Sequence, residues 1–201
     1  MKALKLEEFY KLHSKFYDFT RQFFLFDRQK AVDFLDVKPN DKVIDLACGT
    51  GLNIPLLLKR TTPAKIIGID YSRSMLAIAR RKYPGVRFIE GDVSAYEFHE
   101  KVDKIICTYS LSMIDEWEKA ISNAIQALKE GGTLVVLDFH PWRGIFKVFY
   151  PFFKWWLGKH GVYPEKQITS LLRNHFRDVE AKVLHSGYSF IVVAKHPLSL
   201  R

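Results

Sequence analysis

Cysteine is nearly absent: Cys48 and Cys107 are the only two in 201 residues. That excludes a disulfide-stapled secreted fold and implies a reducing compartment; their spacing is not that of metal ligands, so no metal is expected. Long apolar runs are missing as well. Nothing approaches the ~20 residues that would span a bilayer. The N-terminus, punctuated by Lys2, Lys5, Glu7 and Glu8, has no signal-peptide core, so the expected location is cytoplasmic. Acids are in short supply, 22 against 31 lysines and arginines. The net charge of +9 predicts attraction to polyanions, either nucleic acid or an anionic membrane surface. Repeats and low-complexity linkers are absent too. With 48% hydrophobic and 26% charged residues, the chain reads as one globular α/β domain with a substantial core.

What is present is organised around Val43-Ile44-Asp45-Leu46-Ala47-Cys48-Gly49-Thr50-Gly51. The apolar run, broken only by Asp45, predicts a buried parallel strand. Small residues and two glycines follow, then a helical pattern over Leu52 to Lys59, so bare backbone N–H groups can approach a ligand. A dinucleotide fingerprint needs a third glycine where Ile54 stands, and a P-loop needs a Lys-Ser/Thr pair that the sequence lacks. NAD and ATP both lose ground. An ordinary strand–turn–helix corner is the plain alternative.

Further strands are expected over Ala64 to Asp70, Val86 to Glu90, Val102 to Tyr109 and Thr133 to Phe139. Helices are expected from Ser72 to about Tyr83, from Glu116 to Lys129 with Gly131-Gly132 closing it, and from Pro164 through Phe176. Asp178 to Leu184 and Tyr188 to Ala194 read as a final hairpin. This alternation implies a doubly wound sheet whose ligands sit at the carboxyl ends of the strands. Those ends carry Asp45, Asp70, Asp92, Tyr109 and Asp138. Asp70 lies about 20 residues past the glycine turn, the distance at which an acid accepts ribose hydroxyls, though it also suits the start of a helix at Ser72.

The strand acid followed by Cys-Gly-Thr-Gly resembles the first motif of class I S-adenosylmethionine-dependent methyltransferases, with Ala47 where that family often has a further glycine. The resemblance implies a Rossmann-like seven-stranded sheet, mostly parallel with the last strand antiparallel, and S-adenosylmethionine as cofactor. It places Asp45, Ala47, Cys48, the Gly49–Gly51 backbone and Asn53 at the methionine end and Asp70 at the ribose. Asp92 and Val93 fall at the adenine amino edge, Tyr71 and Met75 beside the ring, and Tyr17 and Tyr109 border the cofactor as well. Met75 also reads as simple core.

Two more blocks narrow the resemblance, which covers roughly residues 10 to 195. Phe16-Tyr17-Asp18-Phe19-Thr20-Arg21 with Phe24-Leu25-Phe26-Asp27-Arg28, and Tyr109-Ser110-Leu111-Ser112-Met113-Ile114, resemble bacterial phospholipid N-methyltransferases and betaine-lipid enzymes. Implied is methyl transfer to a phospholipid amine, most of all phosphatidylethanolamine. Tyr17, Tyr109 and His140 would position the amine or relay its proton, and Arg21 or Arg28 would hold the lipid phosphate. The alternatives are a betaine-lipid precursor, a quinone precursor, a small soluble amine, or a membrane-binding module without catalysis.

Composition adds to this. Residues 1 to 36 carry an aromatic helical stripe, Phe9, Leu12, Phe16, Phe19, Phe23 and Phe26, beside Lys11, Lys15, Arg21 and Arg28. Residues 141 to 161 interleave Trp142, Phe149, Phe153, Trp155 and Trp156 with Arg143, Lys147, Lys154 and Lys159. Both stretches suit a peripheral position on the inner membrane face, with core packing or a buried lid as the plain readings. Nucleic acid ranks lower because the apolar residues form a block.

Overall fold

The computed structural model describes residues 27–140 and 167–198. Strand β1 (Val43–Leu46) is buried along its whole length, as its unbroken apolar run requires. Around it lie β2 (Ile66–Asp70), β3 (Arg87–Glu90), β4 (Val102–Thr108), β5 (Leu128–Phe139), β6 (Phe176–Leu184) and β7 (Ser189–Pro197). They form one seven-stranded sheet in the order β3-β2-β1-β4-β5-β7-β6. The first five strands are parallel to their neighbours, and β7 runs antiparallel between β5 and β6. This is the expected mostly parallel sheet with an antiparallel final strand.

Successive strand residues face opposite sides, so Val43 and Ile44 feed two different apolar layers. One layer is closed by α1 (Arg28–Leu35), α2 (Ile54–Leu57) and α3 (Arg73–Lys82) through Ala31, Val32, Leu35, Leu57, Leu76 and Ala79. The other is closed by α4 (Trp117–Ala127) and α5 (Ile168–Arg173). Helix α4 buries Ala120, Ile121, Ala124 and Ile125, the three- and four-residue spacing of a helical stripe.

Two expected boundaries move. Helix α4 stops at Ala127, because Leu128 turns extended and pairs with Val102. Gly131-Gly132 therefore does not close the helix; it lies inside β5, where the register with β4 shifts between Val102 and Lys104. Helix α5 ends at Arg173, and Phe176 opens β6 instead of finishing the helix, since it pairs with Pro197. The helical pattern over Leu52 to Lys59 condenses to the short α2. Of the N-terminal helical stretch, only α1 and Asp27 before it are described; residues 1–26, the 141–161 segment and Pro164 lie outside the described residues. Among the described residues no helix is long and apolar enough to cross a membrane.

Candidate active site

The carboxyl edge of the sheet is where the backbone is most unusual. Six non-glycine residues have positive φ, and four of them, Asp27, Ala47, Tyr109 and His185, gather along this edge. Such conformations cost energy and cluster where a chain is shaped for a ligand. Ala47, at φ 55, occupies the left-handed position where the resembled family often has glycine, so the departure in sequence is a departure in side chain and not in backbone. Two glycines carry the turn onward. Gly49, at φ 57, has nothing within 4 Å of where a Cβ would stand, so its backbone fronts open space. Gly51, at φ 80, is packed under the Tyr83 ring, which a Cβ would approach to 3.0 Å.

Asp45 lies at the foot of this turn and is fully buried. Its Oδ1 accepts from Asn53 Nδ2 at 2.8 Å, whereas Oδ2 has no hydrogen-bond partner. Burial pushes its pKa up to about 7, against the opposing pull of the Asn53 hydrogen bond and the Arg28 charge. Asn53 is held in turn: its Oδ1 accepts from Arg28 Nη1 at 2.9 Å, and its Nδ2 donates to Thr108 Oγ1 at 3.0 Å. Arg28 Nη1 also donates to Thr108 Oγ1. Thr108, the last residue of β4, is a site residue that sequence reasoning missed; a polar residue closing an apolar strand is the signal that would have found it.

Asp70, at the end of β2, accepts from Gly49 N at 2.7 Å on one oxygen and from Ser72 N at 2.8 Å on the other. It therefore serves both the glycine turn and the start of α3. Each oxygen keeps a second lone pair for a further donor. Burial raises its pKa, opposed by the two backbone donors. Asp92 is exposed and folds its Oδ1 back onto Ser94 N and Oγ, while Val93 is buried. Tyr71 is exposed, and Met75 is buried in the first turn of α3. The Cys48 and Cys107 thiols are buried, and burial raises both, Cys107 to about 12.

Asp138 belongs to a different class from the other strand-end acids. Its oxygens accept from Ser112 N at 2.9 Å, Ser112 Oγ at 2.7 Å and Phe139 N at 2.7 Å. These bonds tie β5 to the turn that follows β4, so this acid is structural.

On the acceptor side, Tyr109 is buried against Phe139, ring centroids 4.9 Å apart, with the Arg28 guanidinium 5.6 Å from its ring centre. Burial raises the phenol well above its ordinary value, with the nearby Ser189 hydroxyl opposing. Tyr109 therefore keeps its proton and can donate but not abstract. His140 donates its backbone N–H to Tyr188 O at 3.1 Å, and its ring lies near Phe190. Arg28 is turned into the Asp45–Asn53 network. Asp27 beside it, nearly buried, is bonded to His185 in the β6–β7 turn and to Lys30 at 2.7 Å. Neither Asp27 nor His185 stood out in the sequence. Tyr17 and Arg21 lie outside the described residues.

Residues 43–132 match the family model described as a methyltransferase domain. A demethylmenaquinone methyltransferase of Thermus thermophilus is 38% identical over 120 residues, covering 57% of this chain and 54% of that protein. The chain thus spans about half the length of the curated relatives it matches. Among solved structures, a Thermotoga maritima protein described as an S-adenosylmethionine-dependent methyltransferase, possible histamine N-methyltransferase, superposes with a TM-score of 0.72 at 18% identity, covering 95% of this chain and 99% of its own. Phosphoethanolamine N-methyltransferase 2 of Haemonchus contortus also gives 0.72, at 17% identity over 86% of this chain and 53% of its own. At these identities the superpositions speak for the fold alone. Residues 43–132 of this chain are a methyltransferase domain.

Proposed function

We propose that this chain is an S-adenosylmethionine-dependent methyltransferase whose acceptor is a lipid-soluble molecule, in the first place a quinone precursor. One observation carries the cofactor half: a buried carboxylate oxygen, Asp45 Oδ2, has no partner beside a glycine turn that fronts open space. A buried acceptor of this kind calls for a donor, and the ammonium at the methionine end of the cofactor fits it. When bound, the cofactor supplies an electrophilic methyl group on a sulfonium sulfur.

The rest of the work falls to residues of this chain. Asp45 and Asn53 hold the methionine end, Asp70 the ribose, Asp92 and Val93 the adenine edge, with Tyr71 and Met75 beside the ring. Methyl transfer is an in-line displacement, so alignment and exclusion of water supply most of the rate. Tyr109 orients the acceptor as a hydrogen-bond donor, and Tyr17 and His140 are the candidates to receive or pass on its proton.

The quinone class is supported by the 38% identity to a protein named for demethylmenaquinone. A phospholipid amine, above all phosphatidylethanolamine, is the second reading, favoured by the blocks at 16–28 and 109–114. Both acceptors are membrane-borne. The two basic aromatic stretches join the described fold at its carboxyl edge: residue 26 runs into Asp27, and His140 leads into residue 141. This supports a peripheral position on an anionic membrane face. A binding module without catalysis would have little use for the open oxygen on Asp45.

The test is incubation with methyl-labelled cofactor and vesicles carrying either a reduced demethylated naphthoquinone or phosphatidylethanolamine, followed by lipid chromatography. Label is expected in the naphthoquinone fraction. Label in the phosphatidylethanolamine product alone would replace the first acceptor with the second. Absence of cofactor binding by calorimetry would remove the methyltransferase reading itself.

A further inference from the structure

Asn53 stands between a cation and an anion. Its amide nitrogen donates to Asp45 Oδ1 at 2.8 Å, and its amide oxygen accepts from Arg28 Nη1 at 2.9 Å. The two ends of one buried side-chain amide therefore set guanidinium and carboxylate at a fixed separation, with Thr108 Oγ1 bracing both Asn53 and Arg28. On the carboxylate side, Asp45 Oδ2 lacks a partner. On the cation side, the contacts that bring Arg28 into the site are to neutral groups, Asn53 and Thr108. A guanidinium and a carboxylate held apart in this way form a dipole of charges whose complement is a single zwitterion, an ammonium and a carboxylate on neighbouring atoms. Arg28 is also fixed from behind. Asp27, the residue before it, is nearly buried and bonded to both Lys30 and His185. That leaves little freedom for the arginine to swing out to a lipid phosphate.

We propose that Arg28 binds the α-carboxylate of the cofactor's amino-acid end, with Asp45 on the α-ammonium and Asn53 as the strut that spaces them. The inference rests on the cofactor reading above and deepens it. Arg28 is thereby assigned to the cofactor, and the phosphate role expected of it from the sequence falls away. A planar guanidinium facing a carboxylate makes the strong, charge-assisted form of hydrogen bond. The site therefore selects for a cofactor that carries its carboxylate.

Calorimetry with three ligands tests this on the intact chain: S-adenosylhomocysteine, its decarboxylated analogue, and methylthioadenosine, which lacks the amino-acid end altogether. Wild type is expected to bind the first roughly 10- to 100-fold more tightly than the second, the size of a lost charge-assisted hydrogen bond. In Arg28→Gln that ratio should fall towards one, while methylthioadenosine binds as in wild type. Arg28→Lys, which keeps the charge but not the fork, should retain part of the ratio. A wild-type protein that binds the first two ligands equally would overturn the inference with no variant needed. Equal weakening of all three ligands in Arg28→Gln would also overturn it, since the arginine would then be bracing the turn. Wild type that binds none of the three ligands would remove the cofactor reading and the inference together.

Discussion

Asp45 is the residue at which stability and function oppose each other. Its carboxyl is buried with one oxygen unpartnered, and its pKa stands at about 7 against an ordinary aspartate value near 4. Between those two values the folded chain holds a proton that the unfolded chain has released, so the aspartate lowers stability as pH rises through this window. Above pH ~7 the cost reaches about 4 kcal/mol. Asp45→Asn removes the titration and keeps an oxygen for Asn53. It should raise the urea midpoint at pH 8, with the gap over wild type closing as pH falls towards 4. Cofactor affinity should drop in the same variant, because the ammonium loses its counter-charge. A gap that does not change with pH would show that Asp45 does not titrate in this window. Asp70, shifted in the same direction, is present in both proteins and cancels from the comparison.

At the scale of elements, the strand-end acids divide by what already occupies their oxygens. Asp138 is filled by two N–H groups and a hydroxyl, and it pins the turn after β4 to the end of β5. Asp138→Ala would strand buried donors on both elements, at a cost of about 3 kcal/mol or more. Urea unfolding should register that loss, while cofactor affinity of the folded fraction should stay near that of wild type. A large loss of affinity without a stability change would return Asp138 to the binding site. The sequence showed a row of acids at strand ends but could not separate them. Spacing places Asp45, Asp70 and Asp138 on the same edge, whereas their roles depend on which distant groups fold against them. Strands were legible because β1, β2 and β4 are short apolar runs ended by small or acidic residues. Boundaries set by pairing were not legible. Leu128 continues a good helical pattern, yet it is drawn into β5 by Val102, and Phe176 is drawn into β6 by Pro197. Arg28 was misread for a related reason. In sequence it belongs to an aromatic-basic helix, and only the fold brings it to Asn53, 25 residues away, and to Thr108, 80 away.

On the scale of the whole molecule, the charge of +9 and the position of the site bear on the same question. Each basic residue near an anionic leaflet contributes ~1 kcal/mol, screened beyond ~8 Å at physiological salt. The protein should sediment with vesicles containing phosphatidylglycerol, release as salt rises, and bind zwitterionic vesicles poorly. Replacing Lys147 and Lys154 by Glu should weaken that binding without altering cofactor affinity in solution. Equal binding to neutral and anionic vesicles, indifferent to salt, would refute the electrostatic attachment.

The placement of β7 between β5 and β6 has a consequence for how the protein is made. Strand β5 has its second neighbour only when β7 arrives, although β7 leaves the ribosome after β6. Until then the Leu134–Leu137 run presents unsatisfied N–H and C=O groups along an apolar ribbon, the arrangement that invites edge-to-edge association. Strand β6 cannot cover it in the meantime, because β6 reaches the sheet only through β7. The nascent chain is thus most prone to sticking to its neighbours on a polysome in the interval before residues 189–197 emerge, when the cofactor-side strands are already free to pair.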